Sequence, residues 1–193
     1  MTGRKGMMAL KKTLLAFIVI MTVAAALSSC GSSAKAPDGM VALDGENTTY
    51  FIYVPKAWTA SLSGGAVSAY AEDMSNVSVQ TVAIAKAEDG TRLYSDIKDF
   101  WENGYKVSVG YAFAKAEFSG ITEGKLGGED SVVAEYTVKV FDISVKAEKS
   151  YSVKQVIAEH GDNYYVITYT AETAKYTDHA DEFNSIVSNF SFK

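Results

Sequence analysis

Hydrophobic and polar residues alternate most clearly between positions 132 and 141. The even positions hold the apolar residues Val132, Ala134, Tyr136, Val138 and Val140, and the odd positions include Glu135, Thr137 and Lys139. A period of two is typical of a β-strand that buries one face and exposes the other. The pattern therefore predicts a half-buried strand over residues 132–141.

Shorter segments on either side also have the composition of strands. Residues 50–54 are rich in aromatic and β-branched side chains and stop at Pro55, which cannot donate to a β-ladder. Residues 151–158 and 164–171 flank a turn sequence at 160–163 and predict a hairpin. Further short strands are predicted at 58–62, 66–71, 77–86, 112–118 and 190–192, and a glycine-rich turn at 120–128.

Two segments have the period of amphipathic helices. In residues 91–105, with Thr91 as the predicted N-cap, one face holds Leu93, Ile97, Phe100 and Gly104. In residues 175–188, the apolar face holds Tyr176, Ala180, Phe183 and Val187. Hairpin connections predominate and there is no series of βαβ units. We therefore predict an α+β domain over residues 40–193, with a mainly antiparallel sheet flanked by helices.

The first 29 residues follow a different pattern. A basic stretch ends at Lys12, and the apolar run at 14–27 is interrupted only by Thr22. This run is too short for a transmembrane helix, which needs about 20 residues, and is typical of the central region of a signal peptide. The sequence that follows resembles the bacterial lipobox, which is formed here by Leu27, Ser28, Ser29 and Cys30.

The lipobox resemblance implies that residues 1–29 are a lipoprotein signal peptide. Signal peptidase II would recognise Leu27, Ser28 and Ser29, and Cys30 would carry a diacylglycerol and a further acyl chain such as palmitate. Two or more acyl chains anchor a protein stably, so we expect it at the extracytoplasmic face of the cell membrane. Residues 30–39 are small and polar and are expected to form a flexible tether. An ordinary secretory signal with a cysteine near its cleavage site is the alternative.

Charge is distributed unevenly along the chain. Four of the 18 basic residues and none of the 23 acidic residues precede Cys30, so the rest of the chain carries 14 basic and 23 acidic residues, a formal charge of −9. A domain this acidic repels nucleic acid, and we expect no nucleic-acid partner. Cys30 is the only cysteine, which excludes a disulfide or a thiolate metal cluster within the chain.

Three parts of residues 40–193 resemble the PsbP/Mog1-type fold, the αβα sandwich of PsbP proteins and many bacterial lipoproteins. They are the strand and Pro-x-x-Trp turn at 53–58, the hairpin at 155–171, and the closing helix and strand at 183–192. The resemblance implies a PsbP/Mog1-like αβα sandwich and a non-enzymatic accessory protein. It carries over no catalytic motif and no cofactor.

Few residues are candidates for chemistry. The chain has two histidines: we expect His160 to be a solvated turn residue and His179 to pack half-buried on its helix, with a ligand or a base as the alternative for His179. Acidic residues cluster within 38–46, 123–130 and 178–182, but none of these clusters has the spacing of a calcium-binding loop. We therefore expect surface charge and no metal site there.

Tyr94, Trp101 and Tyr105 lie close together on the first predicted helix, beside its apolar face. Aromatic residues are enriched at protein interfaces, so these three form a candidate contact surface. The alternative is that they form the edge of the core.

The sequence therefore favours a non-enzymatic lipoprotein, held at the membrane through lipid on Cys30, that binds an envelope protein partner or a small ligand. The main alternative is an envelope-located hydrolase or other enzyme with an unrecognised site, and a third is a structural envelope protein. An enzyme requires titratable side chains that converge in one pocket. A binding module instead requires an exposed apolar or aromatic patch.

Overall fold

The computed structural model describes residues 36–43, 48–63 and 66–193. The predicted signal peptide at 1–29, with Leu27, Ser28 and Ser29, lies outside the described residues. The predicted lipidation site Cys30 and most of the predicted tether at 30–39 lie outside them as well.

Ten strands lie in the described residues, and most agree with the predicted segments. In chain order they are β1 (Met40–Leu43), β2 (Tyr50–Pro55), β3 (Thr59–Ser63), β4 (Ala66–Tyr70), β5 (Asn76–Ala83), β6 (Glu117–Leu126), β7 (Glu129–Asp142), β8 (Ala147–His160), β9 (Asn163–Glu172) and β10 (Ser191–Phe192). The alternating segment is confirmed as part of β7, in which Val132, Ala134, Tyr136 and Val138 are buried. The hairpin predicted around residues 160–163 is confirmed as β8 and β9.

The strands form two antiparallel sheets. A seven-stranded sheet has the order β3-β4-β5-β9-β8-β7-β6, and a three-stranded sheet has the order β1-β2-β10. The predicted mainly antiparallel α+β fold is therefore confirmed. One continuous row of paired residues crosses the large sheet from edge to edge: Thr59, Tyr70, Asn76, Thr170, Val153, Tyr136 and Phe118.

The first helix begins and ends later than predicted. It consists of α1 (Ile97–Asp99), a π-helical segment (Phe100–Tyr105) and α2 (Lys106–Ala112). Asp96 is the N-cap instead of Thr91, because its carboxylate accepts hydrogen bonds from the backbone N–H groups of Lys98 and Asp99. The strand predicted at 112–118 is wrong in its first part, since the helix includes Ala112.

The second helix is shorter than predicted. A 3₁₀ turn (Thr173–Lys175) precedes α3 (Ala180–Ser188), in which Phe183 and Ile186 are buried. Tyr176 and Val187 pack against the same core from partly buried positions. Among the described residues, no helix is long and apolar enough to cross a bilayer.

The two faces of the large sheet are covered by different layers. One face of β9 presents Tyr165, Ile167 and Tyr169 to a core shared with β2 and α3. The other face presents Tyr164 and Val166 to a core shared with the first helix. Alternate residues of one strand thus serve two cores, as expected for a sheet buried on both sides. The predicted αβα sandwich is confirmed.

β6 contains the largest departure from the predicted turns. The sequence predicts a turn over 120–128, but Gly120 lies within β6 and the turn is confined to Gly127 and Gly128. The register of β6 against β7 shifts between Phe118 and Ile121, which marks a β-bulge. Gly120 has a φ of +100°, a backbone conformation that glycine adopts readily.

The β7–β8 hairpin extends well beyond the rest of the large sheet. Beyond the row through Tyr136, β7 continues for six residues to Asp142 and pairs with β8 over that whole length. β3 begins at this end with Thr59 and runs away from it. Just before β3, Lys56 donates its backbone N–H to the carbonyl of Gly39. Gly39, where the chain enters the fold, therefore lies at the same end. The hairpin and the entry of the chain therefore share one end of the domain.

Candidate functional site

His179 lies between two acidic residues, Asp73 and Glu182. Its Nε2 is 3.4 Å from Oδ1 of Asp73, and its Nδ1 contacts Oε2 of Glu182. The ring of Trp58 meets the imidazole edge-on, at a centroid distance of 5.4 Å. The predicted half-buried packing of His179 agrees with this position.

The chemistry of this group is limited by its hydrogen bonds. Asp73 accepts hydrogen bonds from the backbone N–H and the hydroxyl of Ser75. Burial opposes ionisation of Asp73, but these bonds, with His179 and Lys175, hold its pKa below the usual value. Ser75 is thus bonded to the carboxylate instead of to the imidazole, so the three residues lack the nucleophile–base contact of a hydrolytic triad.

A second polar group lies at the C-terminal end of β8. The guanidinium of Arg92 donates two hydrogen bonds to Glu159, at 2.9 and 2.5 Å, and a third to the hydroxyl of Tyr164 at 3.0 Å. The hydrogen bonds to Glu159 raise the pKa of Arg92. This bidentate pair ties the segment before the first helix to the sheet.

The prediction that Tyr94, Trp101 and Tyr105 form a contact surface is wrong for Trp101. The indole is 1% exposed and packs against the rings of Tyr136 and Phe118. Tyr94 and Tyr105 are half-buried and pack in the same core. The π-helical segment turns Trp101 towards the sheet, so the three residues form the core edge that was the alternative.

Tyr105 also belongs to a polar cluster beneath the first helix, in which Gln155 is buried and the other members are half-buried. Nε2 of Gln155 donates to the hydroxyl of Tyr105 at 3.3 Å and to that of Thr168 at 3.0 Å. The Tyr105 hydroxyl donates to Oε1 of Gln80, and burial raises its pKa. Oε1 of Gln155 is buried without a partner among the described residues. Through Tyr105, these hydrogen bonds join the first helix to β5 and β8.

His160 is not the solvated turn residue that the sequence predicts. Its ring stacks on Phe192 at a centroid distance of 4.1 Å, and Nδ1 is 2.9 Å from Oε1 of Glu129. This contact holds β10 against the end of β8. The acidic residues Glu123 and Asp130 pair with Lys98 and Lys125 as surface charges. In the described part of the chain, no three histidine, cysteine or acidic residues are placed to hold a metal ion.

The structure exposes an apolar group that the sequence patterns do not single out. Phe141, Ile143 and Val145, at the end of the β7–β8 hairpin, are 60%, 82% and 58% exposed. We call these three residues the apolar tip. These residues occupy odd positions, whereas the buried residues of β7 occupy even positions, and Ile143 and Val145 lie in the turn after β7. The change from even to odd apolar positions at Val140 and Phe141 is the signal that the sequence offers.

The polar groups within the hairpin end are satisfied locally. Ser144 donates its hydroxyl and its backbone N–H to Oδ1 of Asp142, at 2.6 and 2.9 Å, and Lys149 lies 3.2 Å from Oδ2. These hydrogen bonds lower the pKa of Asp142 to about 2. Beside the base of the hairpin is a surface groove of about 450 Å³, lined by Lys149, Ser150, Glu172, Thr173 and Ala174. Lys149 and Glu172 pair with each other there.

The fold is similar to two solved structures. The solution structure of cyanobacterial PsbP (CyanoP) from Synechocystis sp. PCC 6803 matches with a TM-score of 0.55 and 19% identity, over 86% of this chain and 99% of that one. The crystal structure of the Saccharomyces cerevisiae Ran-binding protein Mog1p matches with a TM-score of 0.53 and 10% identity, over 79% of this chain and 95% of that one. No protein-family model and no curated protein matches the sequence. The domain has the PsbP/Mog1-like fold.

Proposed function

We propose that this chain is a lipid-anchored extracytoplasmic protein that acts as a non-enzymatic accessory or binding module, with the apolar tip as its contact surface. The observation that carries the proposal is the exposure of Phe141, Ile143 and Val145 together at the end of one hairpin. Exposed apolar groups of this kind mark interaction sites.

The arrangement of the titratable groups also supports a binding role. His179 is held between Asp73 and Glu182, His160 is held by Glu129, and Glu159 by Arg92. Each of these groups is paired with a neighbour, and none of them lines the groove beside the hairpin. An enzyme would bring such groups together around a substrate.

The anchor is supported by the sequence of residues 14–30, and it defines the first experiment. Replacement of Cys30→Ser should leave an unprocessed precursor that incorporates no labelled fatty acid, whereas the wild type should be processed, labelled and recovered with membranes. Normal processing and labelling of the variant would contradict the anchor.

The contact surface is tested by a photo-crosslinking residue placed at position 143 or, as a control, at position 162. Asp162 lies in the turn at the other end of β8, and its side chain is 87% exposed. We expect crosslinked adducts with lipid or with protein in intact cells from position 143 and none from position 162. Equal adducts from both positions, or from neither, would contradict the apolar tip as the contact surface.

A further inference from the structure

We propose that the apolar tip of the β7–β8 hairpin inserts into the interface of the phospholipid bilayer that holds the lipid anchor. The inference rests on the proposed function, because it names the partner of the same contact surface. Three features of the molecule support it: the direction of the hairpin, the composition of its end, and the charge around it.

The hairpin points away from the sheet at the end where the tether enters. β7 extends six residues beyond the row through Tyr136, which corresponds to about 20 Å at ~3.3 Å per residue. β1 and β3 both run away from this end, so Gly39 and Lys56 lie on the same side as the apolar tip. A membrane reached by the tether therefore faces the hairpin.

The distances allow the anchor and the apolar tip to reach one membrane at the same time. β3, beside the entry of the chain, is five strand positions from β7, about 24 Å at ~4.8 Å per strand. Nine residue steps separate Cys30 from Gly39, and a chain of that length spans at most about 32 Å. The tether is thus long enough for the hairpin to stand on the bilayer beside the lipid.

The end of the hairpin has the composition of an interfacial segment. Phe141, Ile143 and Val145 supply apolar surface, and the carboxylate of Asp142 is occupied by Ser144 and Lys149. Apolar side chains of this size bury themselves at the boundary between headgroups and acyl chains. The side chains can enter the boundary without exposing an unpaired acid to it.

The local charge favours phospholipid headgroups in an otherwise acidic domain. Residues 139–149 contain three lysines and two acids, whereas the chain from Cys30 onward carries −9. Lys139 and Lys146 are exposed on either side of the apolar tip. Their ammonium groups can reach headgroup phosphates while their stems follow the apolar side chains.

The test uses the full-length lipoprotein reconstituted in vesicles whose lipids carry bromine on the acyl chains. A tryptophan is introduced by Ile143→Trp or, as the matched control, by Asp162→Trp at the other end of β8. The native Trp58 and Trp101 are buried and provide a constant background. Membrane attachment is measured separately, by flotation of the protein with the vesicles.

We expect about twofold quenching at position 143 and none at position 162, as for side chains that enter the acyl boundary. Addition of Phe141→Asp to the Ile143→Trp variant should abolish the quenching without reducing flotation. Flotation without quenching at 143 would overturn the inference and leave the anchor intact.

The remaining outcomes identify other occupants or a different failure. Quenching at both positions would mean that the domain lies along the membrane, which also overturns the inference. If the tryptophan introduced at position 143 is protected from an aqueous quencher but not quenched by lipid, the occupant is a second copy of this chain, the one protein in the vesicles, and the inference is overturned. Loss of flotation in the wild type would refute the lipid anchor. The apolar tip would then be tested by itself, from the lipid quenching of the Ile143→Trp variant when vesicles are added to it.

Discussion

Gly104 lies against the ring of Tyr94. A Cβ atom on residue 104 would come within 2.7 Å of both Cζ and the hydroxyl oxygen of Tyr94. Gly104 is in the π-helical segment, where the N–H of Lys106 donates to the carbonyl of Trp101, five residues earlier. The close approach of the helix backbone to the tyrosine thus depends on a residue without a side chain.

Gly104→Ala should lower the free energy of unfolding by about 1–2 kcal/mol, because Tyr94 must move and its packing on Phe100 is lost. The matched control is Gly110→Ala in α2, where an added Cβ has nothing within 4 Å. That substitution should stabilise the protein by about 0.5–1 kcal/mol through helix propensity. Urea denaturation of both variants checks the pair, and equal effects would show that Tyr94 moves away freely.

Trp101→Ala should reduce the free energy of unfolding by about 3–5 kcal/mol, since it removes a large aromatic side chain that is fully buried. Leu93→Ala serves as the control, because Leu93 is 61% exposed and should change stability by less than about 0.5 kcal/mol. Denaturation measured by far-UV circular dichroism gives both values. Near-wild-type stability of Trp101→Ala would contradict the core position.

Arg92→Lys should destabilise the protein by about 1 kcal/mol, because a lysine cannot donate in parallel to both oxygens of Glu159 and also reach Tyr164. Lys86→Ala removes an exposed ion pair with Asp162 and should change stability by no more than about 0.5 kcal/mol. Thermal unfolding at low and high salt would compare them. An equal loss in both variants would mean that the bidentate geometry contributes nothing.

Stability should fall as the pH rises above 10. Burial raises the pKa of Tyr169 and Tyr176 from 10.0 to about 12, and burial also raises that of Tyr105 and Tyr136. Because the pKa of each tyrosine is higher in the folded protein, the unfolded chain releases the proton at a lower pH. The stability that these tyrosines contribute is therefore complete below pH 10 and is lost as the pH rises towards 12. Tyrosinate absorbance should therefore rise in two phases, the second coinciding with unfolding. A single phase near pH 10 in a folded protein would contradict the burial.

Strands with a strict period were predictable because the alternation is a direct consequence of burying one face. In β7, Val132, Ala134 and Tyr136 are buried as their even spacing predicts. The first helix was less predictable, since the π-helical segment adds one residue to a turn and shifts the apolar face. Leu93, assigned to that face, lies before the helix and is exposed.

The sequence pattern does not reveal the apolar tip, and the physical reason is related. Phe141, Ile143 and Val145 alternate with polar residues as a strand does, so the pattern alone would extend the strand and bury one of its faces. In the structure β7 ends at Asp142, residues 143–146 form the turn of the hairpin, and β9 ends at Glu172, opposite Tyr151 and short of that turn. Coverage is a property of the sheet topology, which a single strand does not encode.

If the chain is anchored as proposed, the bulge in β6 has a consequence for its crowding on the membrane. β6 is an edge of the large sheet, and a regular edge strand is a template on which a neighbouring copy can add its own strand. The irregular backbone at Gly120 interrupts that template, and the exposed Glu117, Glu123 and Lys125 place charges along it. Molecules confined to two dimensions meet far more often than molecules in solution. The edge is therefore suited to remaining unpaired at the high local density that the proposed anchor would create.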